Sequence, residues 1–180
     1  MGFAHRIAGA DDAPALLALI DRAILALQAD FLSPAQVAAS RMVMGLDTQL
    51  LRDGTYLIVM HDGVLAGCGG WSFRATLYGG DASMIAREAA VLDPNTQPAR
   101  IRAMYTDPAF ARRGVGRRVL HLCEQAAYGQ GFRRAEMMAT LAGEPLYRAC
   151  GYAPIERIAT APIDGVTVPL IRMGKRLPGN

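Results

Sequence analysis

The run Ile101-Arg102-Ala103-Met104-Tyr105-Thr106-Asp107-Pro108, followed after two residues by Ala111-Arg112-Arg113-Gly114-Val115-Gly116-Arg117-Arg118, changes character twice. Ile101 to Asp107 reads as a strand halted by Pro108, which has no N–H to give to a ladder. Gly114 and Gly116 then mark a turn, because glycine takes φ values closed to other residues and lets the backbone come close to a ligand. Beyond them Val115, Val119, Leu122, Cys123 and Ala126 keep helical spacing as far as Gly129 and Gly131. The local structure expected is strand, glycine turn, helix.

That arrangement has a chemical consequence. The first amides of a helix have no carbonyl partner, and the helix dipole is positive at that end, so a helix start is an anion site. Arg112, Arg113, Arg117 and Arg118 bracket the two glycines and add charge-assisted hydrogen bonds to phosphate oxygens. The geometry asks for a diphosphate. The dinucleotide fingerprint needs a third glycine where Val119 stands, and the mononucleotide loop needs a Gly-Lys-Ser/Thr that the chain lacks. A bare Gly-x-Gly is also explained by a plain helix cap, so the neighbouring elements have to decide.

Working outward, Phe3 to Ala8 reads as a first strand, with Asp11 or Asp12 capping a helix that carries Pro14 in its first turn. Leu16, Ile20, Ile24 and Leu27 form its buried stripe. Ser33-Pro34-Ala35-Gln36 has the form of a capping box and opens a second helix to about Met44. A short helical turn at Thr48 to Arg52 ends at Gly54. Thr55 to His61 and Val64 to Phe73 are extended runs joined by Asp62-Gly63, which suits a tight hairpin. Arg74 to Ala99 is a long mixed insert, the kind of connection that is usually functional or mobile. Strand character returns at Phe132 to Thr140, a short helix opens at Glu144-Pro145 and closes at Gly151, and Tyr152 to Ile158 and Val166 to Met173 are the last strands, joined at Asp164-Gly165. Hairpins combined with strand–helix–strand crossovers imply an α/β (α+β) fold with a mixed, largely antiparallel sheet of about six to seven strands and helices on both faces. With no repeat or linker in view, residues 1–180 are read as one domain.

Composition narrows the classes. Apolar residues make up 52% and charged ones 19%, too greasy for disorder. Leu16 to Leu27, the richest apolar stretch, contains Asp21 and Arg22, so no membrane span is expected. Met1 to Arg6 shows no charged region before an apolar run, which argues against a signal peptide. Cys68, Cys123 and Cys150 lack metal-type spacing and fit free thiols in a reducing cytoplasm, and no histidine has a metal-ligand partner, so no metal is expected. The basic side consists of eighteen arginines and Lys175. Nucleic acid is not expected as a partner, because neither interleaved aromatics nor a reading helix accompanies the arginines.

Taken together, the strand, the proline, the arginine–glycine turn and the helix resemble the pyrophosphate-binding motif of the GNAT superfamily of N-acetyltransferases, an Arg or Gln, two residues, Gly, one residue, then Gly or Ala. Leu146-Tyr147-Arg148-Ala149-Cys150-Gly151-Tyr152 is similar to that family's Leu-Tyr-x-x-x-Gly-Phe element, and Arg6 to Pro14 resembles its opening. Two positions depart from the pattern: Ala111 stands where Arg or Gln is usual, and Thr140 where an asparagine commonly touches the coenzyme. The resemblance covers most of the chain and leaves Arg74 to Ala99 unmatched.

The resemblance implies a cytoplasmic acetyltransferase that moves an acetyl group directly from acetyl-coenzyme A to a primary amine of a small molecule or peptide. A catalytically silent acyl-coenzyme A sensor is the alternative. It further implies pyrophosphate on the amides from Arg112 through Arg113, Gly114, Val115 and Gly116 to Arg117, and pantetheine along the backbone of Met104, Tyr105 and Thr106, with an amide near Tyr105 polarising the thioester. Tyr147 is the implied general acid, against the bland reading that it packs its ring. For the base, Glu88, Asp81 and His61 are candidates by residue type, as is a water chain. Trp71, Arg74, Tyr78 and Asp81 are candidate neighbours of the acceptor. Dimers are common in the family, which admits a homodimer.

Overall fold

The computed structural model describes residues 2–88 and 90–177. Seven strands form one sheet in the order β1-β2-β3-β4-β5-β7-β6. They are β1 (Phe3–Ile7), β2 (Tyr56–His61), β3 (Val64–Ser72), β4 (Ala99–Thr106), β5 (Arg134–Thr140), β6 (Ala153–Ala159) and β7 (Pro169–Arg176). Every neighbouring pair is antiparallel except β4 and β5. The helices are α1 (Ala13–Leu27), α2 (Pro34–Ser40), α3 (Thr48–Arg52), α4 (Val115–Gly129) and α5 (Glu144–Ala149).

Strand alternation sorts the apolar residues onto two cores. On β2, Leu57 and Val59 face the core under α4, while Tyr56 and Ile58 face the core under α1. The α4 side is completed by Val115, Val119, Leu120, Cys123 and Phe132, and the α1 side by Leu16, Leu19, Ile20, Ile24 and Leu50. Both sheet faces are therefore covered by helices. No described helix is long and apolar enough to cross a membrane.

Several local expectations hold in detail. Asp62 and Gly63 both have positive φ, at 48° and 82°, as a tight hairpin between right-twisted strands demands. Ser33 Oγ accepts from Gln36 N–H, and Gln36 Oε1 accepts from Ser33 N–H, closing the capping box. Others needed correction. α2 stops at Ser40, and residues 41–45 continue only as turns, because Gly45 brings the chain back toward Tyr105. Asp12 does not cap α1 through the following amides. It closes a 3-10 turn by accepting from Gly9 N–H and pairs with Arg6, whose hydrogen bonds hold its carboxyl down at about 2. Ala99, assigned to the insert in sequence, opens β4 instead.

β3 is glycine-rich at Gly67-Cys68-Gly69-Gly70, and the reason is close packing. A Cβ on Gly67 would stand 2.5 Å from Val115 Cγ1 and 3.1 Å from the carbonyl oxygen of Tyr105. The first turn of α4 therefore presses directly on the strand. Gly67→Ala should cost about 1–3 kcal/mol through overpacking, seen as a fall of roughly 2–12 °C in the unfolding midpoint; an unchanged midpoint would show that α4 has room to move.

Candidate active site

The site begins where the sheet forks. β4 touches β5 only at Ala99–Ala135 and Arg100–Glu136. Past that point β4 stays on β3, with Cys68 opposite Tyr105 and Gly67 opposite Thr106, while β5 stays on β7 through Met137–Met173 and Thr140–Leu170. The base of the fork is pinned by ions. Glu136 Oε2 lies 2.9 Å from Arg100 Nη1 on β4 and 2.6 Å from Arg172 Nη2 on β7. Burial lowers the pKa of the Arg100 guanidinium, and Glu136 opposes that effect.

A bulge shapes the inner edge of the fork. The β3–β4 register slips between Cys68 and Gly70, and Ala103 takes φ +50°, an uncommon conformation for a residue with a side chain. The buried Tyr56 hydroxyl donates to the Ala103 carbonyl at 3.0 Å, satisfying the group that the slipped ladder left over. After the bulge, Asp107 N–H bonds back to Ala66 O on β3. Alternation along the strand then turns the Met104 and Thr106 amides toward the fork and the Tyr105 amide toward β3. Tyr105 instead sends its phenol to the other face, where the hydroxyl accepts from Gly45 N–H at 2.9 Å.

The fork encloses a cavity of about 90 Å³ lined by Met44, Tyr78, Arg102, Met104, Met138 and Tyr147 among others. The glycine turn stands beside the tip of β4, where Gly116 lies near Thr106. Arg112 has φ +62° and Gly114 φ +82°, and Gly114 caps α4 in the left-handed conformation. The first intrahelical bond runs from Arg118 N–H to Gly114 O, so the amides of Val115, Gly116 and Arg117 precede the ladder and point outward. A Cβ on Gly116 would stand 2.8 Å from Leu146 Cδ2 and 3.4 Å from Thr106 Oγ1. The two glycines thus serve different ends: Gly114 makes the turn, and Gly116 lets α4, α5 and the tip of β4 converge. Arg112, Arg113, Arg117 and Arg118 are all exposed here. Arg113 lies over the Phe110 ring, Arg118 is held by Phe3 O, and Arg112 and Arg117 form no ion pair among the described residues.

Tyr147 is on α5, next to Leu146, and is 8% exposed. Its ring stacks edge-on against Tyr152 at 6.2 Å, and its pKa is pushed up by burial, so the phenol stays protonated. The sequence-derived cluster of Met104, Thr106, Arg112 to Arg117 and Tyr147 thus gathers around one fork. Tyr105 joins through the cavity wall rather than through a free amide.

The other candidates scatter. His61 is wedged between Phe3 and Phe110, away from the cavity. Glu88 is exposed, and its backbone, not its carboxylate, bonds Thr76. Asp81 accepts from Thr48 N–H and pairs with Arg87. Trp71 is a core residue against Phe73 and Phe132, and Arg74 is tied to Asp53 at 2.7 Å. Of the acceptor-side set, only Tyr78 lines the cavity. Burial pushes the Cys68 thiol up to about 12 and also raises that of Cys123, leaving neither as a nucleophile at neutral pH.

Sequence reasoning missed Arg102 and Asp47. Asp47 is fully buried; Arg87 Nη1 donates to its Oδ1 at 2.9 Å, and Arg102 Nη2 stands 2.7 Å from its Oδ2, off the line of a directed hydrogen bond. The only sequence trace was an arginine at an inward position of a strand, and nothing in the spacing of Asp47 named its partner.

A mixed sheet thus opens between its two parallel strands, with an arginine-flanked helix start beside the tip of β4 and a protonated phenol on the cavity wall. A family model described as the acetyltransferase (GNAT) family matches residues 23–152, and the chain belongs to that family. No curated protein matches the chain in sequence. Among solved structures it resembles a GCN5-related N-acetyltransferase from Rhodopseudomonas palustris at 19% identity and TM-score 0.70, covering 98% of this chain and 97% of that one. It is also similar to the PaiA N-acetyltransferase from Thermoplasma acidophilum in complex with coenzyme A, at 14% identity, TM-score 0.65 and coverage of 98% and 99%. A ribosomal-protein-alanine N-acetyltransferase from Brucella melitensis matches at 19% identity, TM-score 0.64 and coverage of 97% and 99%. At these identities the likeness concerns the fold.

The two kinds of ion pair can be told apart by stability. Asp47→Ala leaves the buried Arg102 guanidinium without its counter-charge, while the more exposed Arg87 keeps Asp81, and should cost about 3–5 kcal/mol. Asp21→Ala breaks the equally short but exposed Arg41 pair and should cost under about 1 kcal/mol. Denaturant titration showing equal losses would contradict this assignment.

Proposed function

We propose that residues 1–180 act as one acetyltransferase domain, moving an acetyl group from acetyl-coenzyme A directly to a primary amine of a small molecule or peptide. The observation that carries this reading is the coincidence, at one end of one fork, of unpaired helix-start amides, unpaired arginines and outward strand amides. The residues present fit the coenzyme's chemistry. Val115, Gly116 and Arg117 offer amides to a diphosphate, and Arg112, Arg113 and Arg117 offer guanidinium groups. Met104 and Thr106 offer the strand edge that an amide-bearing arm can pair with, and Tyr105 keeps that edge straight by holding β3.

Bound acetyl-coenzyme A supplies an activated thioester. The Met104 amide, deeper in the fork than Thr106, is the donor aimed at the carbonyl oxygen as it gains charge. Tyr147 lines the same cavity and gives its proton to the departing sulfur. No Asp, Glu or His is among the described cavity-lining residues, so the amine sheds its proton to water, and desolvation in the cavity favours its neutral form. Peptide acceptors stay within the class, since similar folds include enzymes named for ribosomal-protein alanine.

Amine-dependent thiol release from acetyl-coenzyme A tests the reading; coenzyme binding without release would support a silent sensor instead. Tyr147→Phe should lower kcat by about 10²-fold or more while the KM for acetyl-coenzyme A stays within about twofold. Because its phenol is raised above the ordinary value of about 10, wild-type rate should climb as the amine deprotonates and show no falling limb below about pH 10. Unchanged turnover in the variant would remove Tyr147 from the mechanism.

A further inference from the structure

Beyond the groups assigned so far, the cavity holds one charged side chain. Arg102 leaves β4 one residue before the bulge, is 5% exposed, and lines the cavity with Met44, Tyr78 and Met138. Its Nη2 donates to Gly79 O at 2.6 Å, and Gly79 is itself part of the cavity wall, so the insert between β3 and β4 holds the guanidinium at that wall. The same Nη2 meets Asp47 Oδ2. Among the described residues no partner takes Nη1 or Nε. Asp47 does not compete for what enters the cavity, being fully buried and shared with Arg87.

A buried guanidinium keeps its solvation cost low only by making hydrogen bonds, and its planar fork matches a carboxylate. Four methionines, Met44, Met104, Met137 and Met138, give the cavity wall an adaptable apolar part beside the hydroxyl-bearing Tyr78, Thr140 and Tyr147. A second cation brought into such a space finds no carboxylate among the described lining residues.

We infer that the acceptor is a small primary amine carrying its own carboxylate, which pairs with Arg102 while an apolar side chain fills the methionine-walled cavity. An apolar α-amino acid is the simplest such molecule. This inference rests on the acyl-transfer reading and narrows it. Polyamines lack the acid group, and a peptide N-terminus carries no carboxylate beside its amine, so both are poorer acceptors.

The test uses the full chain with acetyl-coenzyme A and matched sets of alanine, valine, leucine, methionine and phenylalanine, each as free acid, amide and decarboxylated amine. Thiol release should give at least one free acid a kcat/KM tenfold or more above its amide and its decarboxylated amine. Arg102→Met should erase that preference, chiefly by raising the KM of the acid, while coenzyme A affinity stays within about twofold; Arg102→Lys, which keeps the charge but not the fork, should retain part of it. Because Arg102→Met strips Asp47 of a partner and can fail to fold, the wild-type comparison stands as an independent arm. Equal use of acid and amide, a preference that survives Arg102→Met, or no acid in the set either turned over or bound in the presence of coenzyme A, overturns the inference. Intact coenzyme binding alongside those results leaves the transfer reading standing, whereas loss of coenzyme binding in the wild-type chain overturns both.

Discussion

β4 has two neighbours in the sheet and pairs along its length with only one. That single geometric fact organises the molecule. The bulge at Ala103 bends the strand toward β3, and β5 is held by seven consecutive partners on β7, so neither strand can follow the other beyond Arg100 and Glu136. A ladder opened inside a sheet leaves amides without partners, which is costly unless something else pairs with them. The Tyr56 hydroxyl settles one such debt at the Ala103 carbonyl, and the Arg100–Glu136–Arg172 cluster stops the opening from spreading to the base. The remaining outward amides at Met104 and Thr106 are what an extended ligand would use.

Packing then places the cradle at the open end. The glycines of β3 let α4 lie against the strand, and Gly116 lets its first turn meet Leu146 and Thr106. The start of α4, the tip of β4 and the helix that carries Tyr147 thus meet at Gly116, Thr106 and Leu146. Charge is distributed to match. The exposed Arg112 and Arg117 of the glycine turn form no ion pair among the described residues, while the arginines within the body, Arg100 and Arg102, are matched by Glu136 and Asp47.

Much of this was legible in sequence because it is local. The Asp62-Gly63 hairpin, the Ser33–Gln36 capping box and the start of α4 at Val115 each depend on residues within a few positions of one another. What stayed hidden depends on partners far along the chain. α2 ends early because Gly45 is drawn to the Tyr105 hydroxyl sixty residues away. Trp71 and Arg74 look alike in sequence to residues of a binding wall, yet Phe132 and Asp53 claim them. The fork is not legible in the residues, since no spacing in β4 announces that β5 will part from it. Arg102 escaped notice because a buried arginine is legible only beside its carboxylate, and Asp47 lies fifty-five positions earlier.

Isothermal titration of coenzyme A into the wild-type chain and into Arg112→Ala/Arg117→Ala bears most directly on the claim that the fork and its cradle form one coenzyme site. One-to-one association with the wild type, weakened at least tenfold in the double variant and in rising salt, is the predicted result. No heat of association with the wild type, or equal affinity in a folded double variant, would contradict it.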